Sequence, residues 1–498
     1  MKLTNLATRN PAIYFNSGLL ILFFQFLLAG SVFADELDDW KLVKSANMEL
    51  YTDYDDDIAI ETLEKFEIFR AVTINLLKSD TKQNLLPVKI FLFRTENMWK
   101  NLQYAAGNGG YFYNSVYGPQ MFVKPFDHEV NLEVLYHEYV HYLLNTNSPI
   151  AIAPWYNEGI ADFFATMLIE DDFVYIGKLH SDRAEALSRV GLLKLKDVLG
   201  TRSLFDKNSR FKRTFYPSAW LTTHYFTLGA RNGFPSRYAN SMKLLELQSQ
   251  GADFDDAYAE SFDISMRDLQ REIKKYARTG SKEGVALPIP EVDVSSIITR
   301  LSSTQIKSAL APAFGWSDKN SLGRQYLTEA AASGDSFALS VQALHFAKQS
   351  NDDASLAIIN KLKTRADLNH AVHHNIALSF MSMEERAENA NDSERALSLN
   401  NKVKQHLESS LQVAEYLPSY VALANHAAIY ESKEAALDVV AAMLNYAPNQ
   451  YWSRLAAAKV YLAVDEVELA KENITSALRL TGHNEESQKT LKDLLKNH

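Results

Sequence analysis

Leu135-Tyr-His-Glu-Tyr-Val-His-Tyr-Leu143 is the stretch on which the reading of this chain turns. It contains His137-Glu138-Tyr139-Val140-His141, an H-E-x-x-H. Residues four apart on an α-helix share one face, one turn above the other. One cation can therefore take a nitrogen from each imidazole. Glu138 points to an adjoining face, where it can act as a general base without being a ligand. Leu132, Val134, Leu135, Val140, Leu143 and Leu144 can bury the rest of the helix. Asp127 is the expected N-cap, and residues 145–149 end the helix at Pro149.

A second stretch follows, Trp155-Tyr-Asn-Glu-Gly-Ile-Ala-Asp162, after a loop containing Pro149 and Pro154. On a second helix packed against the first, Glu158 can be a third protein ligand. A fourth position then stays open, as in a catalytic zinc site. Asp162 lies one turn beyond Glu158 on the same face. It can accept the free ring N–H of His137, which fixes the tautomer of a ligating histidine. The alternatives are a metal-free helix whose histidines pair with carboxylates, and a metal site without catalysis.

H-E-x-x-H followed by N-E-x-x-x-D resembles the gluzincin zinc metallopeptidases. The W-Y-N-E-G-I-A-D form and the sixteen residues between His141 and Glu158 look most like the peptidase MA-like family. The resemblance covers roughly residues 40 to 278. It implies a zincin-like α+β domain and a Zn2+ ion held by His137, His141 and Glu158. It also implies Glu138 as catalytic base and hydrolysis of peptide bonds. The spacing between ligands is a little shorter than in the best-known gluzincins, so pocket residues are not carried over.

Upstream, Trp40–Val43, Met48–Tyr51, Val88–Phe93 and Met121–Lys124 read as strands, and 58–77 as a helix by its apolar spacing. The resemblance makes 111–124 the sheet edge over a cleft, open to an extended peptide. Tyr111, Phe112, Tyr113 and Tyr117 then either line side-chain pockets or pack in the core. Downstream, residues 178–213 are polar and basic, with a candidate loop at 201–212. Related gluzincins place a tyrosine or histidine beyond the third ligand, where it stabilises an oxyanion. Tyr216, expected at a loop-to-helix junction before Pro217, is one candidate and His224 the other; core packing is the alternative for both. His128, His180, His373 and His374 read as surface or packing residues.

Residues 1–34 read as a secretory signal peptide, with Lys2 and Arg9 leading, an apolar run at Leu19–Leu28 and Val32-Phe-Ala34 before the cut. The alternative is an uncleaved anchor; the apolar run is short for a span, so no stable span is expected after cleavage. The chain has no cysteine, which excludes disulfides and thiolate zinc sites. Export without cysteine favours a bacterial periplasm. The formal charge of −10 argues against nucleic-acid binding.

Gly280, Gly284, Pro288 and Pro290 mark 281–294 as a linker between a 35–280 metallopeptidase-like domain and an all-α domain at 295–498. Residues 420–437 and 451–470 are similar at an offset of about thirty-one residues, close to the tetratricopeptide period. Small alanines at helix crossings resemble tetratricopeptide repeats, which form stacked arrays that bind peptides or proteins; an ordinary helical bundle is the alternative. The whole reads as an exported zinc peptidase acting on a peptide or protein substrate, with a protein partner at the repeats. The competing reading is an inactive metallopeptidase-like scaffold.

Overall fold

Side chains alternate between the two faces of a strand, and here both faces are covered. The computed structural model describes residues 37–78, 86–102, 109–115, 117–126, 129–280, 283–315, 321–481 and 484–496. The signal peptide expected at 1–34, the expected cap Asp127 and His128 lie outside the described residues. A six-stranded sheet has the order β4-β5-β3-β2-β1-β9. Its strands are β1 (Lys41–Lys44), β2 (Met48–Thr52), β3 (Val88–Leu92), β4 (Gly110–Ser115), β5 (Gly118–Val123) and β9 (Ile297–Arg300). The β2-β3 and β3-β5 pairs are parallel and the others antiparallel. A small antiparallel sheet joins β6 (Leu168–Glu170), β7 (Phe173–Ile176) and β8 (Val285–Pro288).

On one face Leu50, Ile90 and Met121 pack against the first helices. These are α1 (Asp56–Leu77), α3 (Leu132–Asn147) and α4 (Pro154–Ala165), while the short α2 (Glu96–Trp99) packs on the opposite face through Met98 and Trp99. Phe69 stacks on Tyr136 at 4.0 Å, which locks α1 to α3. Tyr136, Tyr139 and Tyr142 thus join Leu135, Val140 and Leu143 on the buried side of α3. Asn131 caps that helix, its side chain accepting from Val134 N–H at 3.1 Å. Pro154 opens α4 where its missing N–H is not needed.

Then come α5 (Ser181–Val190), α6 (Leu195–Leu199), α7 (Ser209–Leu228), α8 (Tyr238–Ser249), α9 (Phe254–Ser261) and α10 (Met266–Thr279). Beyond β9 everything described is helical: α11 (Ser303–Leu310), α12 (Leu322–Ala332), α13 (Ser336–Lys348), α14 (Asp352–Leu362) and α15 (His370–Asn389). These are followed by α16 (Ser393–Val413), α17 (Leu417–Tyr430), α18 (Lys433–Tyr446), α19 (Tyr451–Ala463), α20 (Val467–Thr481) and α21 (Glu485–Lys496). The protein is thus a mixed α/β chain rich in helix. The segments similar in sequence form the hairpins α17–α18 and α19–α20, and successive small cores run along the array. Among the described residues no helix is long and apolar enough to cross a membrane.

The second sheet face corrects the expected domain boundary. Tyr51, Phe91, Phe122 and Tyr111 form a ladder of stacked rings across β2, β3, β5 and β4, each step 4.9 Å. Ile306, Leu310, Phe314 and Tyr326 from α11 to α12 close the same cluster, with Trp40, Phe93 and Trp99. Strand β9 pairs with β1 along Lys41–Lys44. The linker expected at 281–294 is interrupted too, because β8, at Val285–Pro288 within it, pairs with β7. Residues 283–332 therefore complete the first domain instead of separating two. Glycine and proline are compatible with short edge strands, and the partners lie far away in sequence.

A chain ending at residue 294 leaves the ring ladder uncovered, whereas one ending at residue 335 keeps its cover. The shorter fragment is expected to bind a hydrophobic dye and melt without a cooperative transition, and the longer to unfold cooperatively in urea. Leu310→Ala in the full chain should cost about 2–5 kcal/mol. Cooperative unfolding of the 294 fragment would refute the shared core.

Candidate metal centre

The centre is built by two helices and held by a third. α3 carries His137 and His141 on one face, and α4 brings Glu158 up to them. α4 in turn lies very close to α7 at Gly159, where an added Cβ would stand 2.6 Å from the Ala219 carbonyl oxygen and 2.1 Å from Thr223 Oγ1. Only glycine allows that approach, and it sets how far Glu158 projects.

His137 Nε2 and His141 Nε2 are 3.0 Å apart. Glu158 Oε2 lies 3.5 Å from the first and 3.6 Å from the second. Ligand atoms about 2.0–2.1 Å from a tetrahedral zinc ion are separated by about 3.3 Å, so this triangle has the dimensions of one face of such a site. Two imidazoles and one carboxylate are also the donor set of open zinc sites. Among the described residues it is the one group of histidine and acidic side chains close enough to hold a metal ion. All three side chains are mostly buried.

Asp162 orients the first ligand. Its Oδ1 lies 3.0 Å from His137 Nδ1, so that once Nε2 gives up its proton to a bound cation, its lone pair is directed at the centre. Arg183 of α5 grips the same carboxylate with two N–H groups, at 2.7 and 2.9 Å. Burial opposes charge on His137, but Asp162 and Glu158 outweigh it and push the ring up to about 10. Burial likewise opposes ionisation of Asp162, yet His137 and Arg183 hold it down at about 2. Glu158 is held well below the ordinary carboxylate range by His141 and His137 despite its burial. The pocket thus stabilises anionic carboxylates around one positive charge. His141 Nδ1 is buried without a hydrogen-bond partner among the described residues.

Glu138 sits one position on from His137 and faces the sheet edge. Phe112 N–H, on the outer strand β4, donates to its Oε2 at 2.9 Å. In an antiparallel pair alternate residues turn their backbone groups outward. Lys124 N–H donates to Gly109 O, so the outward residues on β4 are Gly110, Phe112 and Asn114. The edge expected within 111–124 is therefore the β4 strand of a hairpin, and β5 is interior. Of its aromatics, Tyr111 and Tyr117 pack inward and Tyr113 is exposed.

Tyr216 does not lie at a loop-to-helix junction. α7 begins at Ser209, where Asn208 accepts from Phe211 N–H at 2.9 Å, so Tyr216 and Pro217 are inside the helix and the expected 201–212 loop ends at its cap. Its ring lies 5.4 Å from the Arg183 guanidinium. Burial, and after it the Glu158 carboxylate, push its hydroxyl up to about 12, which keeps it a proton donor at neutral pH. His224 is in the core, with Nδ1 2.6 Å from Tyr276 Oη and Nε2 2.9 Å from Gly177 O. Both ring nitrogens are engaged there, so His224 cannot serve the cleft. His180, read as surface or packing, is buried 3.8 Å from Asp162 Oδ1. Arg183 and Phe112 N–H are the site groups that sequence reasoning missed. Neither carries a local signal, since each reaches its carboxylate from a distant part of the chain.

No protein-family model matches the chain, and comparison with curated proteins finds no match.

In a competition titration against a chromophoric chelator, the protein is expected to take up about one zinc ion per chain. His141→Ala should abolish uptake. Asp162→Asn should weaken it by roughly 10–100-fold through lost orientation of His137. Parent-like affinity in both variants would show that zinc binds elsewhere.

Proposed function

We propose that this protein is a zinc-dependent metallopeptidase of the gluzincin kind, hydrolysing peptide bonds in a peptide or protein substrate. One observation carries the reading: a two-histidine, one-glutamate donor triangle with a further carboxylate, Glu138, fixed beside it by the outermost strand. A metal site serving only structure has no use for that further carboxylate.

His137, His141 and Glu158 would hold the ion, with Asp162 orienting His137. When bound, zinc supplies Lewis acidity toward a carbonyl oxygen and toward water. The outward backbone groups of β4, the Phe112 carbonyl and both groups of Asn114, can pair with an extended substrate and lay its scissile bond along the cleft. Glu138 accepts a proton at its carboxylate from the attacking water and returns one to the leaving amine. Phe112 N–H keeps that carboxylate in place without neutralising it. Tyr216, protonated at neutral pH, donates a hydrogen bond where negative charge develops on the former carbonyl oxygen. The helical array is proposed as a tetratricopeptide-like surface for a protein partner.

Glu138→Gln should bind zinc like the parent but lose roughly three or more orders of magnitude in kcat on a peptide substrate. Parent-like turnover would mean that hydrolysis comes from elsewhere, and no turnover in the parent across a broad peptide library would favour the inactive scaffold. Tyr216→Phe should lower kcat by roughly ten- to a thousandfold with little change in KM. An unchanged kcat removes Tyr216 from the mechanism.

A further inference from the structure

Between α6 and α7 the chain makes a tight turn that holds one side chain out into solvent. Lys207 N–H donates to the Leu204 carbonyl at 3.3 Å, and Phe205 N–H to Ser203 Oγ at 3.1 Å. Leu204 and Phe211 pack against the main core on either side, so the turn is anchored at its base. Phe205 stands at the apex and is 97% exposed, more than any other large hydrophobic residue described. Water-facing display of a whole phenyl ring is unfavourable by the ordinary hydrophobic effect, and nothing in the turn requires an aromatic there.

The charge of the surrounding stretch is predominantly positive. Residues 178–213 hold ten lysines and arginines against four acids, in a chain whose net charge is −10. Lys196, Lys207 and Arg189 pair with nearby carboxylates. Arg202, Arg210 and Arg213 are exposed and Lys212 half-exposed, and none of the four has an acidic partner among the described residues. All lie within twelve residues of sequence, in the turn that carries Phe205 and in the first turns of α7. An arginine cluster can also take an acidic peptide, but that leaves the exposed Phe205 ring without a role. A projecting ring close in sequence to unpaired cations fits a soft surface, negative outside and apolar beneath.

We propose that the Phe205 turn docks this protein on an anionic lipid bilayer. Phe205 enters the acyl boundary while Arg202, Arg210, Lys212 and Arg213 meet the lipid phosphates. Because α7 also carries Tyr216, two turns further on, docking sets the candidate metal centre beside the membrane surface, facing substrates that lie at or emerge from it. The proposal does not depend on the centre being catalytic.

The test is co-sedimentation of residues 35–498 with vesicles, since every described contact lies within residues 37–496. Vesicles of phosphatidylglycerol and phosphatidylethanolamine should bind the protein, vesicles of phosphatidylcholine alone should not, and high salt should release it. Phe205→Ser and the double variant R210E/R213E should each weaken binding by about tenfold or more, with parent-like circular dichroism and zinc content. Equal binding to neutral vesicles, or parent-like binding by either variant, overturns the proposal. So does a double variant that binds vesicles normally but loses affinity for acidic peptides, which would assign the cations to a peptide.

Discussion

Two imidazole nitrogens and a carboxylate oxygen are turned toward one point in a mostly buried space, and most of the first domain is arranged to keep them there. Without a cation, lone pairs that converge this way repel one another or must share protons, and burial strengthens either effect. The protein holds the arrangement by packing. Phe69 and Tyr136 lock α3 to α1, and Gly159 lets α4 settle onto α7 so that Glu158 reaches the histidines. Asp162, itself clamped by Arg183, keeps the His137 ring in register. Orientation, and not merely proximity, is therefore specified from five helices, α1, α3, α4, α5 and α7.

The helical array is tied into the same arrangement. The last residue of α3 accepts a hydrogen bond from Asn449 Nδ2 at Asn147 O, 2.9 Å long. In the loop from α3 to α4, Ala151 N–H donates to Arg479 O at 2.7 Å. Arg479 also pairs with Glu246 on α8 at 3.0 Å. At the other end Tyr117, in the β4–β5 turn, meets Phe337 of α13 edge-on at 4.9 Å. The array thus touches both the loop between the two ligand helices and the hairpin that carries the cleft edge.

The candidate ligands were legible because their signal is local. Four-residue spacing on a helix puts His137 with His141 and Glu158 with Asp162 whatever surrounds them. The strand β3 was legible because burial on both faces makes its stretch nearly continuous in apolar residues, while β1 and β2 are short and mix charged with apolar residues. What was lost depended on distant partners. Pro217 reads as a helix start, but Asn208 supplies a cap more than two turns upstream, and the helix runs through the proline. The Gly- and Pro-bearing stretch after residue 280 reads as a linker because nothing in it reveals that β7 and β1 wait for β8 and β9. Arg183 reads as one more cation in a basic stretch until the fold sets it against Asp162.

Anomalous diffraction at the zinc edge, on crystals of the full chain grown with zinc, addresses the centre most directly. The account predicts a single strong peak between α3 and α4, about 2.0–2.2 Å from His137 Nε2, His141 Nε2 and a Glu158 oxygen. Zinc found only at other residues, or no peak while the three side chains keep their present positions, would contradict it.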